Sequence, residues 1–499
     1  MRIWVQLILF DRIFRIHFGV LFFLHQIMNS NYRLSYLNSF LMEQNQYRLR
    51  YRELTYIRES KLSSAKGSSK LHGKPPIPKM IKRNTVFLAG SQANVAVIFQ
   101  VVPTVASLII LRMTGSIAFV GAAVAILGLM RIFTSYPIGK VADRWGRRHA
   151  LLLGMSFLPF GAILLFYSVT QNDITLFFLG IAFHGLGHSA VQQVRIAVSD
   201  MYPTARKAES VSYVLTGSIA GTIGAPLIIA YAVKFAEDTG LDPYSTPWLF
   251  MPFFALASIV LIIVVNPDPQ KIAQNLKKYY LDYSPVNINK ELINSKIKIR
   301  DFVTYYPIIV SLLVTSLTWG IMAMMMSLVS VILRAHGFDL TAISIAVSIH
   351  VLGMYALSIP IGRLADRFGR KKILMAGSAF SGIGAIITTA SNEYWVVVTG
   401  IFLVGLGWSA AIVTSTAIIS DVCHPGIRGR VLGVINMSTG VTSVMLPLVG
   451  GLIADSMGFF AIGVLGLIIS FPSIFATFFL RETQPGIFKH KLHENIPSN

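Results

Sequence analysis

The chain is 499 residues long, 54% hydrophobic and only 13% charged, with a mean hydropathy of +0.63. A soluble domain carries about 25% charged residues, so 43 basic and 22 acidic side chains are too few to clothe a water-facing surface, and 32 phenylalanines exclude a disordered or fibrous chain. The net charge of +21 raises nucleic acid as a partner, but no basic face with interleaved aromatics stands on a polar segment, so none is expected.

Residues 1–84 read as a basic N-terminal extension. Ile16–Met28 is apolar but short, and Asp11, Arg12 and Arg15 precede it closely. That pattern suits a helix lying at a membrane interface; an extension upstream of a start at Met42 or Met80 is the plainer alternative. Lys61–Lys82 reads as a basic linker. Twelve apolar runs follow, each near the 20 residues needed to cross about 30 Å of hydrocarbon. They lie near Thr85–Leu111, Ile117–Pro137, Ala150–Val169, Ile174–Val198, Ser210–Val233 and Thr246–Val265. After a polar, Lys-rich loop come Val303–Leu333, Thr341–Ile361, Ile373–Ala390, Tyr394–Ser420, Val431–Ile453 and Phe459–Leu480. In lipid each backbone N–H and C=O needs an internal partner, so these runs are predicted to be helices. The expected fold is an all-α polytopic membrane protein: a six-helix bundle over 85–265, a central loop over 266–302, a second bundle over 303–481 and a tail over 482–499.

Basic residues orient the bundle. With the extension, every second connection and the tail placed on one side, that side holds 38 of the 43, the opposite side holds Arg112, Lys234 and Arg334, and Arg131 and Arg195 lie inside spans. Positive charge stays cytoplasmic, so both termini are expected in the cytoplasm and the protein in the cell membrane. The lone Cys423 then faces a reducing compartment, and one cysteine excludes a disulfide framework or a multi-cysteine metal site.

The chain repeats internally. Pro137-Ile-Gly-Lys-Val-Ala-Asp-Arg-Trp-Gly-Arg-Arg148 nearly superimposes on Pro360-Ile-Gly-Arg-Leu-Ala-Asp-Arg-Phe-Gly-Arg-Lys371, and Gly185-Leu-Gly-His-Ser-Ala190 on Gly405-Leu-Gly-Trp-Ser-Ala410. Asp200 and Asp421, Pro203 and Pro425, and Arg206 and Arg428 continue the match. Two equal six-span halves suit a transporter with a midplane site between them. These residues resemble the major facilitator superfamily, whose loop signature Gly-x-x-x-Asp-Arg-x-Gly-Arg-[Arg/Lys] is met by Gly139, Asp143, Arg144, Gly146, Arg147 and Arg148. It is met again by Gly362, Asp366, Arg367, Gly369, Arg370 and Lys371. The resemblance implies alternating access by rocking of the halves, with a cavity lined mainly by spans 1, 4, 7 and 10.

The chemistry of the loop stands beside that resemblance. Glycine permits a tight turn, and the Asp can face a neighbouring helix N-terminus, whose partial positive charge favours an anion. The arginines can pair with a carboxylate at the next helix end, for which Asp200 and Asp421 are the candidates. Charge alone would not repeat Asp and Gly at fixed spacing, so the loops are expected to act as conformational gates rather than only as orientation signals.

Gly185-x-Gly-x-x-Ala190 and its repeat imitate a dinucleotide fingerprint, but they lie inside apolar spans instead of between a strand and a helix, where small residues serve close helix contact. No phosphate-binding Gly-x-x-x-x-Gly-Lys loop occurs, so no cofactor is expected and the chain is not itself an ATP-driven pump. Span 4 carries His184, His188, Gln192 and Arg195 on one stripe, with His184 about 15 Å deep. Their span-10 counterparts are Val404, Trp408, Ile412 and Ser415, so the repeat did not demand polarity. Intramembrane ionisable groups are functional candidates, and substrate binding, proton transfer and plain helix bridging all fit this stripe. Two histidines lack the further ligands a metal needs, and no metal is expected. Gln92, Gln100, Trp319 and His350 are additional candidates, although each also suits helix packing, and Arg131 can snorkel or pair within the bundle. Proton antiporters of the superfamily carry Arg-x-x-Gln-Gly-x-Gly in span 4, where this chain has Ile181-Ala-Phe-His184-Gly-Leu-Gly187. Their span-5 motif survives only as Gly221-Thr-Ile-Gly-Ala-Pro226.

The sequence is therefore expected to encode a secondary transporter of a small solute, monomeric, coupled to protons, and favoured as an exporter of amphipathic compounds because the cavity helices look mostly apolar. Proton-coupled uptake of a metabolite is the alternative. A membrane-embedded sensor on the same scaffold is the rival from another class. No catalytic constellation is visible, so the chain is not read as an enzyme.

Overall fold

The computed structural model describes residues 76–203, 206–280, 305–423 and 425–483. The expected interfacial helix Ile16–Met28, most of the linker, residues 281–304 of the central loop and the tail beyond 483 lie outside the described residues. Within them the chain is helical with no strand, and twelve helices are long and apolar enough to cross a membrane. The protein is an all-α polytopic membrane protein.

The first span runs from Lys79 to Thr114. It begins six residues ahead of Thr85, because Pro78 sits in extended conformation and supplies the stop that the apolar pattern does not mark. At Pro103 the helix widens into a π turn over Val102–Ala106, as expected where proline removes a backbone donor. The second helix, Ala122–Trp145, continues past the apolar stretch that ends at Thr134 and into the first loop signature. Spans 3 to 6 occupy Arg147–Gln171, Ile174–Asp200, Lys207–Thr239 and Thr246–Ile263. Two short helices, Pro269–Gln274 and Leu276–Tyr279, begin the segment expected as a loop, and the first packs on spans 3 and 4. Spans 7 to 12 are Tyr306–Ala335, Leu340–Phe368 (broken between Tyr355 and Ser358), Arg370–Ala390, Tyr394–Val422, Pro425–Met457 and Phe459–Phe479.

Packing repeats with the sequence. Span 1 packs on 5, 3 on 4 and 6, and 2 on 4; correspondingly, span 7 packs on 11, 9 on 10 and 12, and 8 on 10. The halves meet through two matching pairs, span 2 against 11 and span 8 against 5. One face of the bundle carries both ends of the described chain, the loop signatures and most basic residues; we call it the basic face and its opposite the far face. The seam between the halves lies toward the far face. A Cβ at Gly121 would run into the carbonyl of Pro447, so only glycine lets span 2 approach span 11 there. Asp455 of span 11 accepts the backbone N–H of Ile117 at 3.0 Å and the hydroxyl of Ser116 at 3.3 Å, closing the far end of that seam. The far segment of span 8, Leu340–Tyr355, packs on span 5, whereas Ser358–Phe368 packs on spans 9 and 10 of its own half. On the basic side of span 2, Phe133, Tyr136 and Trp145 are exposed.

Candidate functional site

Spans 2 and 3 are joined by a single residue, Gly146, at φ +102° and ψ 160°. That backbone region is essentially restricted to glycine, which explains the signature position. Gly369 repeats it at φ +96°. The sharp turn points the N-terminus of the next helix inward, where its unpaired N–H groups need an acceptor. Asp143 reaches forward one turn to Arg147 at 3.2 Å, and Asp366 likewise to Arg370. The acceptors are residues the sequence reading missed. Asp268 receives the N–H groups of Arg147 and Arg148 at 3.2 and 2.9 Å, and Glu482 receives those of Arg370 and Lys371 at 2.8 and 3.2 Å. A signal was present: each is the first carboxylate after the sixth span of its half, on a face otherwise rich in Lys and Arg.

Each arginine then bridges to the end of the fourth or tenth span. Arg147 Nε donates to Asp200 at 2.9 Å, and Arg370 Nε to Asp421 at 3.2 Å. Burial separates the carboxylates: the Asp200 side chain is 19% exposed and that of Asp143 is 74% exposed. An exposed ion pair contributes at most about 1 kcal/mol, so the Arg147–Asp200 contact is the structural member. The Gln270 amide donates to the Asp143 carbonyl at 2.9 Å, tying the central segment to the same turn. Arg144 and Arg367 are exposed, and Gly139 and Gly362 are half-buried with open space or ordinary contact beside them. Nearby, the Tyr202 hydroxyl lies 2.8 Å from Thr85 Oγ1 and the Tyr280 hydroxyl donates to the Met201 carbonyl. Burial pushes both phenols upward, so they stay neutral anchors between the end of span 4 and its neighbours. Cys423 is buried among Ile308, Leu312, Ile419 and Val431 and does not present its thiol to solvent.

The second grouping lies midway along the spans. Arg131 of span 2 sits 4.9 Å from the Trp319 ring of span 7, and Arg195 of span 4 sits 5.6 Å from the Tyr355 ring of span 8. Trp408 of span 10 joins the two rings, 5.1 Å from Trp319 and 5.8 Å from Tyr355, both edge-on. Both guanidiniums thus come from the first half and all three rings from the second. All but Trp408 are half-buried despite their depth. Arg131 therefore stacks across the interface instead of snorkelling to the basic face.

The span-4 stripe divides. His184 is fully buried inside the first half, with Phe99 of span 1 at 5.4 Å and Trp248 of span 6 at 6.3 Å, both edge-on. His188 is half-buried against Phe99 at 4.1 Å, within electrostatic range of Arg131, Arg195 and His184. The side chain of Gln192 lies outside the described residues. His350 is buried in the second half, its Nδ1 2.7 Å from the Ile401 carbonyl, which fits a packing role. Gln100 reaches across the seam to Ser348 at 3.4 Å, and Gln92 is buried in span 1. Among the described residues no group of three or more potential metal ligands occurs. Gly185 and Gly187 lie within the span-4 helix, as their apolar surroundings predict.

The model of the Major Facilitator Superfamily matches residues 86–333 and 308–495, two overlapping stretches. The chain belongs to that superfamily. This transporter is 27% identical over 373 residues to the MFS-type transporter YdeG of Bacillus subtilis strain 168, covering 74% of its own length and 84% of the relative. It is 32% identical over 145 residues to the multidrug resistance protein MdtL of Shigella flexneri serotype 5b, there covering 28% of this chain and 36% of that one. Among solved structures, the nucleoside transporter NupG superimposes with a TM-score of 0.59 at 14% identity, over 79% of this transporter and 99% of NupG, a likeness of fold. Transporters of this superfamily act on small molecules in the membrane and are not enzymes.

Proposed function

We propose that this transporter is a proton-coupled exporter of small organic solutes, working as a monomer in the cell membrane with its basic face in the cytoplasm. The observation that carries the transport mechanism is the central grouping contributed by both halves, placed beneath a seam that lies toward one face. Rocking about that seam would expose the same residues alternately to the two sides. The 38-to-3 division of basic residues supports the orientation, and the similarity to MdtL supports export. His188 is the proposed proton carrier. It is faced by Arg131 from span 2, by Arg195 and His184 on its own helix and by the Phe99 ring from span 1.

The test is reconstitution into liposomes of controlled orientation, with an imposed pH gradient and labelled solutes. Uptake driven by inside-acid vesicles, in the orientation that places the basic face outward, is expected. Counterflow that ignores the gradient would sink proton coupling, and binding without counterflow would make the protein a sensor.

A further inference from the structure

Four cations of the repeated segment take no part in the turn at its end. Lys140 and Arg144 stand one helical turn apart in span 2, and the repeat puts Arg363 and Arg367 at the matching places in span 8. All four are exposed, and among the described residues none makes an ion pair or a hydrogen bond. Arg367 meets only the ring of its neighbour Phe368, at 5.4 Å. The carboxylates beside them are engaged elsewhere, Asp143 by Arg147 and Asp366 by Arg370. Like charges four residues apart on a helix repel each other. Orientation in the membrane depends on how many basic residues a side carries, so it does not explain why the same uncompensated pair stands at the same place twice. An anion from outside the chain would relieve the repulsion in both halves.

The contacts of span 2 settle where its pair points. Leu127 and Met130 lie against Gly185 of span 4, while Gly128 lies against Ser443 and Ile132 against Gly440 of span 11. Thr134, Ile138 and Ala142 are buried on the inner side of the basic end. At about 100° per residue, Lys140 and Arg144 fall on the remaining face. Leu129, Phe133 and Tyr136 share it, the last two 64% and 55% exposed. Hydrocarbon, not water, is the favourable neighbour for such a row of large apolar side chains, so this face meets the bilayer. From Phe133 to Arg144 the helix rises about 16 Å, close to half of a hydrocarbon layer about 30 Å thick. In span 8, Arg363 and Arg367 lie opposite the buried Ile361 and Ala365 and beside Ile359, which is 57% exposed.

We propose that spans 2 and 8 each bind one anionic phospholipid on this face. Its phosphate lies at Lys140 and Arg144, or at Arg363 and Arg367, and its chains run along the apolar stripe toward the middle of the membrane. The charges and the stripe together select the occupant. A zwitterionic lipid leaves the pair of cations uncompensated, and a soluble phosphate leaves Phe133 and Tyr136 without a partner. Long basic side chains reach readily to a headgroup, and an aromatic ring suits the membrane boundary beside it. Anionic lipid is held by the cytoplasmic leaflet, the side on which the basic face is placed. The span 2 site is the stronger, because the repeat has Ala356 and Ile359 where span 2 has Phe133 and Tyr136. The inference goes beyond the transport reading and does not depend on the solute or the coupling ion.

The test uses the purified full chain in detergent, offered dioleoyl phosphatidylglycerol and dioleoyl phosphatidylcholine in equal, low amounts. Native mass spectrometry counts the lipids retained. Phosphatidylglycerol should be retained about tenfold over phosphatidylcholine. Lys140→Gln with Arg144→Gln should remove the tighter of two retained lipids, and Arg363→Gln with Arg367→Gln the weaker. Each single Gln variant should weaken its own site about fivefold, the effect of roughly 1 kcal/mol for one cation at an anionic surface, and Lys140→Arg should retain it. Phe133→Ser should weaken the first site and spare the second. Equal retention of the two lipids overturns the proposal, and so does a preference that survives all four Gln substitutions, which would make these cations orientation signals only. Glycerol phosphate displacing the lipid at equal concentration overturns the assignment to a lipid. If a double variant does not fold, the single variants decide.

Discussion

The two halves of this transporter are alike at the basic face and unlike in the middle. Arg147 with Asp143, Asp200 and Asp268 is matched by Arg370 with Asp366, Asp421 and Glu482, down to the two backbone donors each capping carboxylate accepts. At mid-depth the first half places His184, His188 and Arg195 where the second has Val404, Trp408 and Ser415. The turn geometry and the exposed helix N-terminus are demands of the fold, so both halves answer them in the same way. The central residues meet no such shared demand of the backbone, and they diverge. Charge on one half and aromatic surface on the other is the outcome.

Substitutions can break that comparison. The largest expected effect comes where the halves touch. Gly121→Val would force span 2 off span 11 at the Pro447 carbonyl. Transport should fall by up to about 150-fold, since overpacking costs of about 1–3 kcal/mol fall on a single access state. Accessibility of a cysteine placed at Met445 from the far side should rise at the same time; unchanged rate and accessibility would mean that the seam is not part of the transport cycle.

Removing one arginine at a time asks whether structural likeness means functional likeness. Arg147→Ala and Arg370→Ala each remove the guanidinium from a largely buried carboxylate, Asp200 or Asp421. A shift of about 5- to 150-fold in the access equilibrium is expected, the range of a 1–3 kcal/mol coupling. Equal losses in initial transport rate would make the clusters equivalent gates, and a silent Arg370→Ala would confine the gate to the first half.

Within span 4 the contrast is between His188 and His184. Replacing His188 by Gln should flatten the pH profile of transport, because an amide keeps the polarity of the ring but cannot take up a proton. Replacing His184 by Gln should leave the profile and lower stability, because that ring fills a space enclosed by Phe99 and Trp248. If the two variants exchange these phenotypes, the division of the stripe drawn above is wrong.

The smallest effect is expected at the carboxylate most prominent in the loop signature. Asp143→Asn should slow transport by only about two- to fivefold, as befits an exposed pair, and less than Asp200→Asn measured in the same vesicles. A larger loss for Asp143→Asn would indicate that Asp143 acquires a second partner in the other access state.

Several of these features were legible in the chain itself. Twelve runs of hydrocarbon-spanning length, a doubled loop signature and a lopsided basic count need no tertiary information, because lipid imposes length and composition on every span separately. The Arg147–Asp200 pairing was legible as well, since the repeat put a carboxylate at the same helix end twice. Asp268 and Glu482 were not singled out, because they act on helices more than 100 residues away in sequence. Cys423 looked accessible from its loop position yet is covered by side chains of spans 7, 10 and 11.

What the sequence determined by itself was the number of spans, the twofold repeat and the glycine turns at Gly146 and Gly369, for these depend on local backbone demands and on the solvent each stretch meets. What only the tertiary structure decided was which polar residues inside the membrane share a place. The spacing of span 4 puts His184, His188 and Arg195 on one stripe, but helix periodicity cannot say which part of a stripe lies against a neighbour and which faces the other half. Packing made that decision: Trp248 and Phe99 enclose His184, and the approach of spans 7, 8 and 10 gives Arg131 and Arg195 their rings. The reason is physical, in that a charge or a ring inside a bundle gains its meaning from contacts between helices distant in the chain, which no local pattern encodes.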